Sequence, residues 1–177
     1  MADECVDPAD AIVLAHMQAL REAFDPESNC PPSGGGGTTV RFFAGDAIPM
    51  AAWEVHSVGR STSKVIEPFL WVRVMRRFRS TEFPDAAVDI RPCSGMRVIE
   101  LEMGVARCAV AEAEPRWDDY ANEAAVSLDD SWRIELAQCR VSSLLRDAGN
   151  MTGLMDVQPY GPEGGLVAWT GGTVVQF

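Results

Sequence analysis

Lysine is all but missing from this chain. Lys64 is the only one among 15 basic residues, and the rest are Arg, the side chain suited to bidentate and interface ion pairs. GC-rich coding would give the same bias. Histidine is as scarce, with only His16 and His56. There is no Cys-x-x-Cys pair, and the five cysteines are an odd number, which disfavours a closed disulfide framework. Cys5, Cys30 and Cys93 are the residues a zinc site would draw on, while Cys108 and Cys139 are expected as small core residues. No run of about 18 apolar residues occurs, so no membrane span is expected. The first seven residues carry Asp3, Glu4 and Asp7 without a base, the reverse of a signal peptide's start.

Positive charge is also in short supply overall. A net charge of −11 argues against a protein that binds nucleic acid by neutralising phosphates. What remains is 177 residues, 47% hydrophobic and 23% charged, which suits one soluble domain, 1–177.

Asp7-Pro8 is expected to open a first helix, with Asp7 as N-cap and Pro8 at the first helical position. Ile12, Val13, Met17, Leu20 and Phe24 then share one stripe, with His16 at its border, and Asp25-Pro26 ends it. Pro31–Gly37 is a glycine-rich, flexible loop that lacks the Lys-Ser/Thr of a phosphate-binding loop. A strand over 38–44 follows. Met50–Val58 reads as loop with at most a short strand, and Arg60–Lys64 as an exposed stretch.

Phe69–Arg79 is the clearest strand. Leu70, Val72, Val74 and Phe78 alternate with Trp71, Arg73, Met75, Arg77 and Arg79, the first set facing a core. In Arg97–Val110, Ile99, Leu101, Met103 and Val105 alternate with Glu100 and Glu102. Antiparallel pairing of the two strands would bring Arg73 and Arg77 onto the face of Glu100 and Glu102, at roughly 0.2–1 kcal/mol per opposed pair. From Pro115 to Ala148 the pattern is helical. Ser127 and Asp130 resemble a capping box that would start a fresh helix near Leu128, and Gly149-Asn150 supplies the stop. Strands over 154–160 and 165–177 close the chain, with Gly161-Pro162 and Gly164-Gly165 turning between them. Gly171-Gly172 is expected in a further tight hairpin.

The order α-β-β-β-α-β-β defines an α+β fold, an antiparallel or mixed sheet packed by two main helices. No catalytic pattern accompanies it: there is no G-x-S-x-G elbow, no histidine with an evident nucleophile, and no H-E-x-x-H. The carboxylates at Glu112, Glu114, Asp118, Asp119, Asp129 and Asp130 suit helix ends, where negative charge complements the dipole. No enzyme activity and no cofactor are therefore expected. Trp71 and Phe78 among the arginines could stack bases, yet Arg-rich aromatic faces equally mark protein interfaces. Trp71, Arg73, Met75 and Arg77 are the expected subunit-interface residues.

Three segments carry a family likeness: PFLWVRVMRRFRSTEFPD (Pro68–Asp85), RVIELEMGVARCAV (Arg97–Val110), and SLDDSWRIELAQCR (Ser127–Arg140) with PYGPEGGLVAWTGGTVVQF (Pro159–Phe177). In these segments the chain resembles head-to-tail junction proteins of long-tailed actinobacterial bacteriophages, in particular the tail-terminator-like group. The resemblance implies a virion structural protein of the neck, assembled in the host cytoplasm. It implies a hexameric ring that caps the tail tube, meets a head connector or stopper protein, and lets DNA pass without specific binding. Inter-subunit pairing would fall on the Arg97–Val110 strand and the C-terminal hairpin. The alternatives are another connector or tail subunit, or a small α+β enzyme or ligand-binding domain.

Overall fold

The computed structural model describes residues 6–58, 67–87, 95–111 and 114–177. Three helices and a five-stranded mixed sheet make an α+β fold, in the order α1 (Asp10–Ala23), β1 (Val40–Phe43), α2 (Met50–Val58), β2 (Phe69–Ser80), β3 (Met96–Cys108), α3 (Trp117–Asp147), β4 (Met151–Glu163) and β5 (Leu166–Gln176). The strands lie in the order β1-β2-β3-β5-β4; β1 runs parallel to β2 and every other pair is antiparallel.

The main core fills the space between one sheet face and the helix pair α1 and α3. Ile12, Leu20 and Phe24 of the first helix segment and Ile134, Ala137, Val141 and Leu145 of α3 meet Leu70, Val72, Ile99, Leu101, Met103, Val105 and Val175 from the strands. Alternation in β2 and β3 puts these residues on one face, which is why both segments were legible as strands. A smaller cluster of Trp53, Phe69, Trp71, Ala106 and Ala168 covers one end of the opposite face. Its roof is α2, a helix where the sequence suggests loop or short strand. Nine residues give too few turns for a clear period, and Trp53 and His56 gain their burial from the sheet below.

Several other expectations are corrected. The first helix proper starts at Asp10; Asp7 instead holds the turn before it, its Oδ1 accepting from the Ala9 N–H at 3.0 Å. α3 is unbroken from Trp117 to Asp147, and Ser127 is a mid-helix residue whose Oγ accepts from the Trp169 indole N–H at 2.8 Å. β5 likewise runs straight through Gly171-Gly172. A Cβ there would lie 2.7 Å from Ile134 Cγ2 or 2.7 Å from Met155 Sδ, so the glycines answer crowding on both faces and make no hairpin. The turn between β4 and β5 is at Gly164-Gly165, with φ of 60° and 75°. Cys108 and Cys139 are exposed, as is Cys30, so neither is a core residue. Cys5, Cys93, Arg60–Lys64 and Glu112 lie outside the described residues. No described helix is long and apolar enough to cross a membrane.

Candidate functional site

The arginine strand is the obvious starting place, and a β-bulge decides its chemistry. Between Val74 and Arg76 the register of β2 against β3 slips by one residue at Met75. Before the slip, Arg73 stands opposite Glu102 and binds it twice, through Nε at 3.0 Å and Nη2 at 2.8 Å. After it, Arg76 rather than Arg77 reaches Glu100. Arg77 is turned to the helix side, opposite Ile99, where its guanidinium grips the Asp7 carboxylate ahead of α1. That hydrogen-bonded guanidinium holds the Asp7 carboxyl below its ordinary range. Arg73 lies on the face of Glu100 and Glu102 as expected; Arg77 does not, because a one-residue slip inverts every later side chain.

The four expected interface residues therefore divide. Trp71 is buried, its indole lying over Gly104 and its N–H donated to Glu102 at 3.1 Å. Arg73 is nearly enclosed by Glu102 and by the Asp46 carbonyl that it also binds. Met75 and Arg77 stay exposed at the bulge. With Trp71 covered, Arg73 and Arg76 committed to carboxylates, and Phe78 beneath the Arg76 guanidinium, β2 offers no open aromatic platform of the kind that stacks bases.

Beside Trp71, a cavity of about 310 Å³ opens between the sheet and the segment entering α2, walled by Ile48, Trp53, Phe69, Leu166 and Ala168. Arg73, Glu102, Tyr160 and Thr170 form its polar margin. Tyr160 donates its hydroxyl proton to Glu163 at 3.0 Å, and this raises the phenol's proton affinity. The walls suit an apolar or planar group, and two of the polar groups, Arg73 and Glu102, are already bonded to each other.

A second polar centre strings the glycine loop to α3. Arg107, at the end of β3, makes a two-pronged ion pair with Asp130 at 2.6 and 2.9 Å and donates to the carbonyls of Gly34 and Gly35. Arg133 binds Asp129 at 2.9 Å and the carbonyls of Ala23 and Cys30. Asp129 also accepts from the N–H of Ser33 at 2.9 Å. Burial pushes the Asp130 carboxyl up against the pull of Arg107. At Asp129 burial acts the same way, yet Arg133 and Ser33 outweigh it and the net shift is downward. Removing Arg107 would strand the buried Asp130 carboxylate, a loss of several kcal/mol in comparable sites, on the order of 3–5. The loop is thus strapped down from residue 30 to 35, contrary to the flexible segment expected, and the aspartates serve as its anchors.

The histidines are structural as well. His16 is fully buried, not a helix-border residue. Its Nδ1–H donates to the Ile12 carbonyl at 2.7 Å and its Nε2 accepts from Thr173 Oγ1 at 2.6 Å. Burial pushes its pKa down to about 4, so it is neutral at pH 7. His56 bonds the Glu67 carbonyl through Nε2 at 2.9 Å. Among the described residues no group of three His, Cys, Asp or Glu could hold a metal ion.

The fold and these sites define an α+β protein whose polar residues chiefly tie its own elements together. Compared with known proteins, the chain matches no family model and no curated sequence.

Proposed function

We propose that the protein is a structural subunit of a phage neck, a tail terminator that forms a ring on the tail tube and meets the head connector. The observation carrying this reading is the sheet's pair of open margins. Among the described residues no strand pairs beyond β1 or β4, and these two strands run in opposite directions. A copy placed beside the first in the same orientation would set its β1 antiparallel to the neighbour's β4, a heterologous contact of the kind that closes rings. The Arg97–Val110 strand expected at the seam is interior as β3, and of the C-terminal hairpin only β4 lies at a margin. The resemblance of the Pro68–Asp85 and Arg97–Val110 segments to neck proteins supports the same reading. So does the acidic charge, which would repel DNA passing through a lumen.

The reading is tested by imaging particles from a phage that lacks the protein. Tails of uncontrolled length, or tails detached from heads, are expected; intact infectious particles would refute it. A ligand-binding role is the second reading, favoured by the 310 Å³ aromatic-walled cavity beside Trp53 and Trp71.

A further inference from the structure

The outer side of α3 carries apolar groups where a helix lying on a sheet should carry charge. Trp117, Leu128 and Trp132 are 88%, 70% and 53% exposed. With Ala121, Ala124 and Ala125, also exposed, they form a stripe at helical spacing, opposite the buried Ile134, Ala137 and Val141. Charge returns to this stripe only at Glu135. From Trp117 to Cys139 the stripe is about 33 Å long at 1.5 Å per residue. Helices at this level form a single layer on the sheet, so nothing among the described residues lies over it.

The order of residues along the stripe says what fits. Turn the same helix end for end, with a two-fold axis at Leu128, and both tryptophans meet small residues. Trp132 faces Ala124 of the second copy, Trp117 faces Cys139, and Leu128 meets Leu128. Asp118 and Arg140 lie on one flank of the stripe, about six turns apart. In an antiparallel pair, each flank faces its own counterpart, so Asp118 comes within two residues, about 3 Å along the axis, of the second copy's Arg140. Within its own chain Arg140 reaches Glu22 at 3.8 Å. Both the size alternation and the charge match arise from reversing a single sequence. We propose that this face is a self-association surface on which α3 of a second copy packs antiparallel. The contact uses no sheet edge and stands or falls independently of the neck reading.

Sedimentation equilibrium on the full chain tests it, with circular dichroism as the control for folding. The wild type is expected at twice the 19.2 kDa chain mass. Leu128→Glu and Trp132→Glu, both at exposed positions, are expected to give folded monomers. Asp118→Arg should weaken the dimer about tenfold by opposing two arginines twice over, and the double change Asp118→Arg/Arg140→Asp should restore it. A wild type that is monomeric at every concentration overturns the proposal. So does an assembly that survives Leu128→Glu, or a dimer indifferent to Asp118→Arg.

Discussion

His16 shows how a single residue can be misjudged by position and rightly understood by its partners. At the border of an apolar helical stripe it looks dispensable, yet it joins α1 to the interior strand β5 through Thr173. A buried neutral imidazole with its pKa lowered from 6.5 to about 4 has a definite consequence. The unfolded chain takes up a proton near pH 6.5 that the folded chain refuses until about pH 4. Its contribution is therefore complete above pH 6.5 and lost as pH falls towards 4, about 3 kcal/mol in all. Urea unfolding at pH 7 and pH 4 should show this component in the wild type and not in His16→Gln. Matching pH profiles for the two proteins would contradict the assignment. The exposed Cys108 and Cys139 teach a related lesson: residue type alone favoured burial, and only their positions at a strand end and on an outer helix face decide otherwise.

At the level of elements, legibility followed periodicity. β2, β3 and α3 repeat their apolar residues often enough to declare period 2 or 3.6, and the structure places them within a few residues of the expected bounds. α2 is short, and its apolar residues answer to Phe69 and Trp71 across the sheet rather than to a stripe of their own. The glycine pair in β5 carried a turn signature, but the cause was space claimed by Ile134, Gln138 and Met155. Gln138 then profits from that closeness, donating to the carbonyls of Gly172 and Met155 at 2.8 and 3.0 Å; the latter sits in a bulge of β4. The Arg73–Glu102 half of the arginine face was readable from alternation, whereas nothing in the sequence marks the slip at Met75. Gly104 makes room for Trp71, which packs in the cluster beneath α2: a Cβ there would lie 2.2 Å from the Trp71 ring. Gly104→Ala is expected to cost roughly 1–3 kcal/mol in urea unfolding. An unchanged midpoint would show that Trp71 can shift without loss.

For the whole molecule, the question is which margins are guarded. Beyond Leu154, β4 presents Pro159, Pro162 and two register slips, features that discourage strand addition. Its first residues, Met151–Leu154, pair regularly with β5 and are where a neighbouring β1 would add. Lysine on an edge blocks such pairing, so if the chain closes rings as proposed, Met151→Lys together with Leu154→Lys should leave the monomer folded and abolish them in particles or with purified tail tubes. Rings of normal size from that variant would remove β4 from the seam.

The slip at Met75 turns one strand into a rivet with a head on either side of the sheet: Arg76 fastens outward to Glu100, and Arg77 inward to Asp7. Excising that one methionine would straighten the strand without moving either head, because Val74 opposite Leu101 would then be followed directly by Arg76 opposite Glu100 and Arg77 opposite Ile99. The methionine is thus a spacer, and both clasps should outlast its loss.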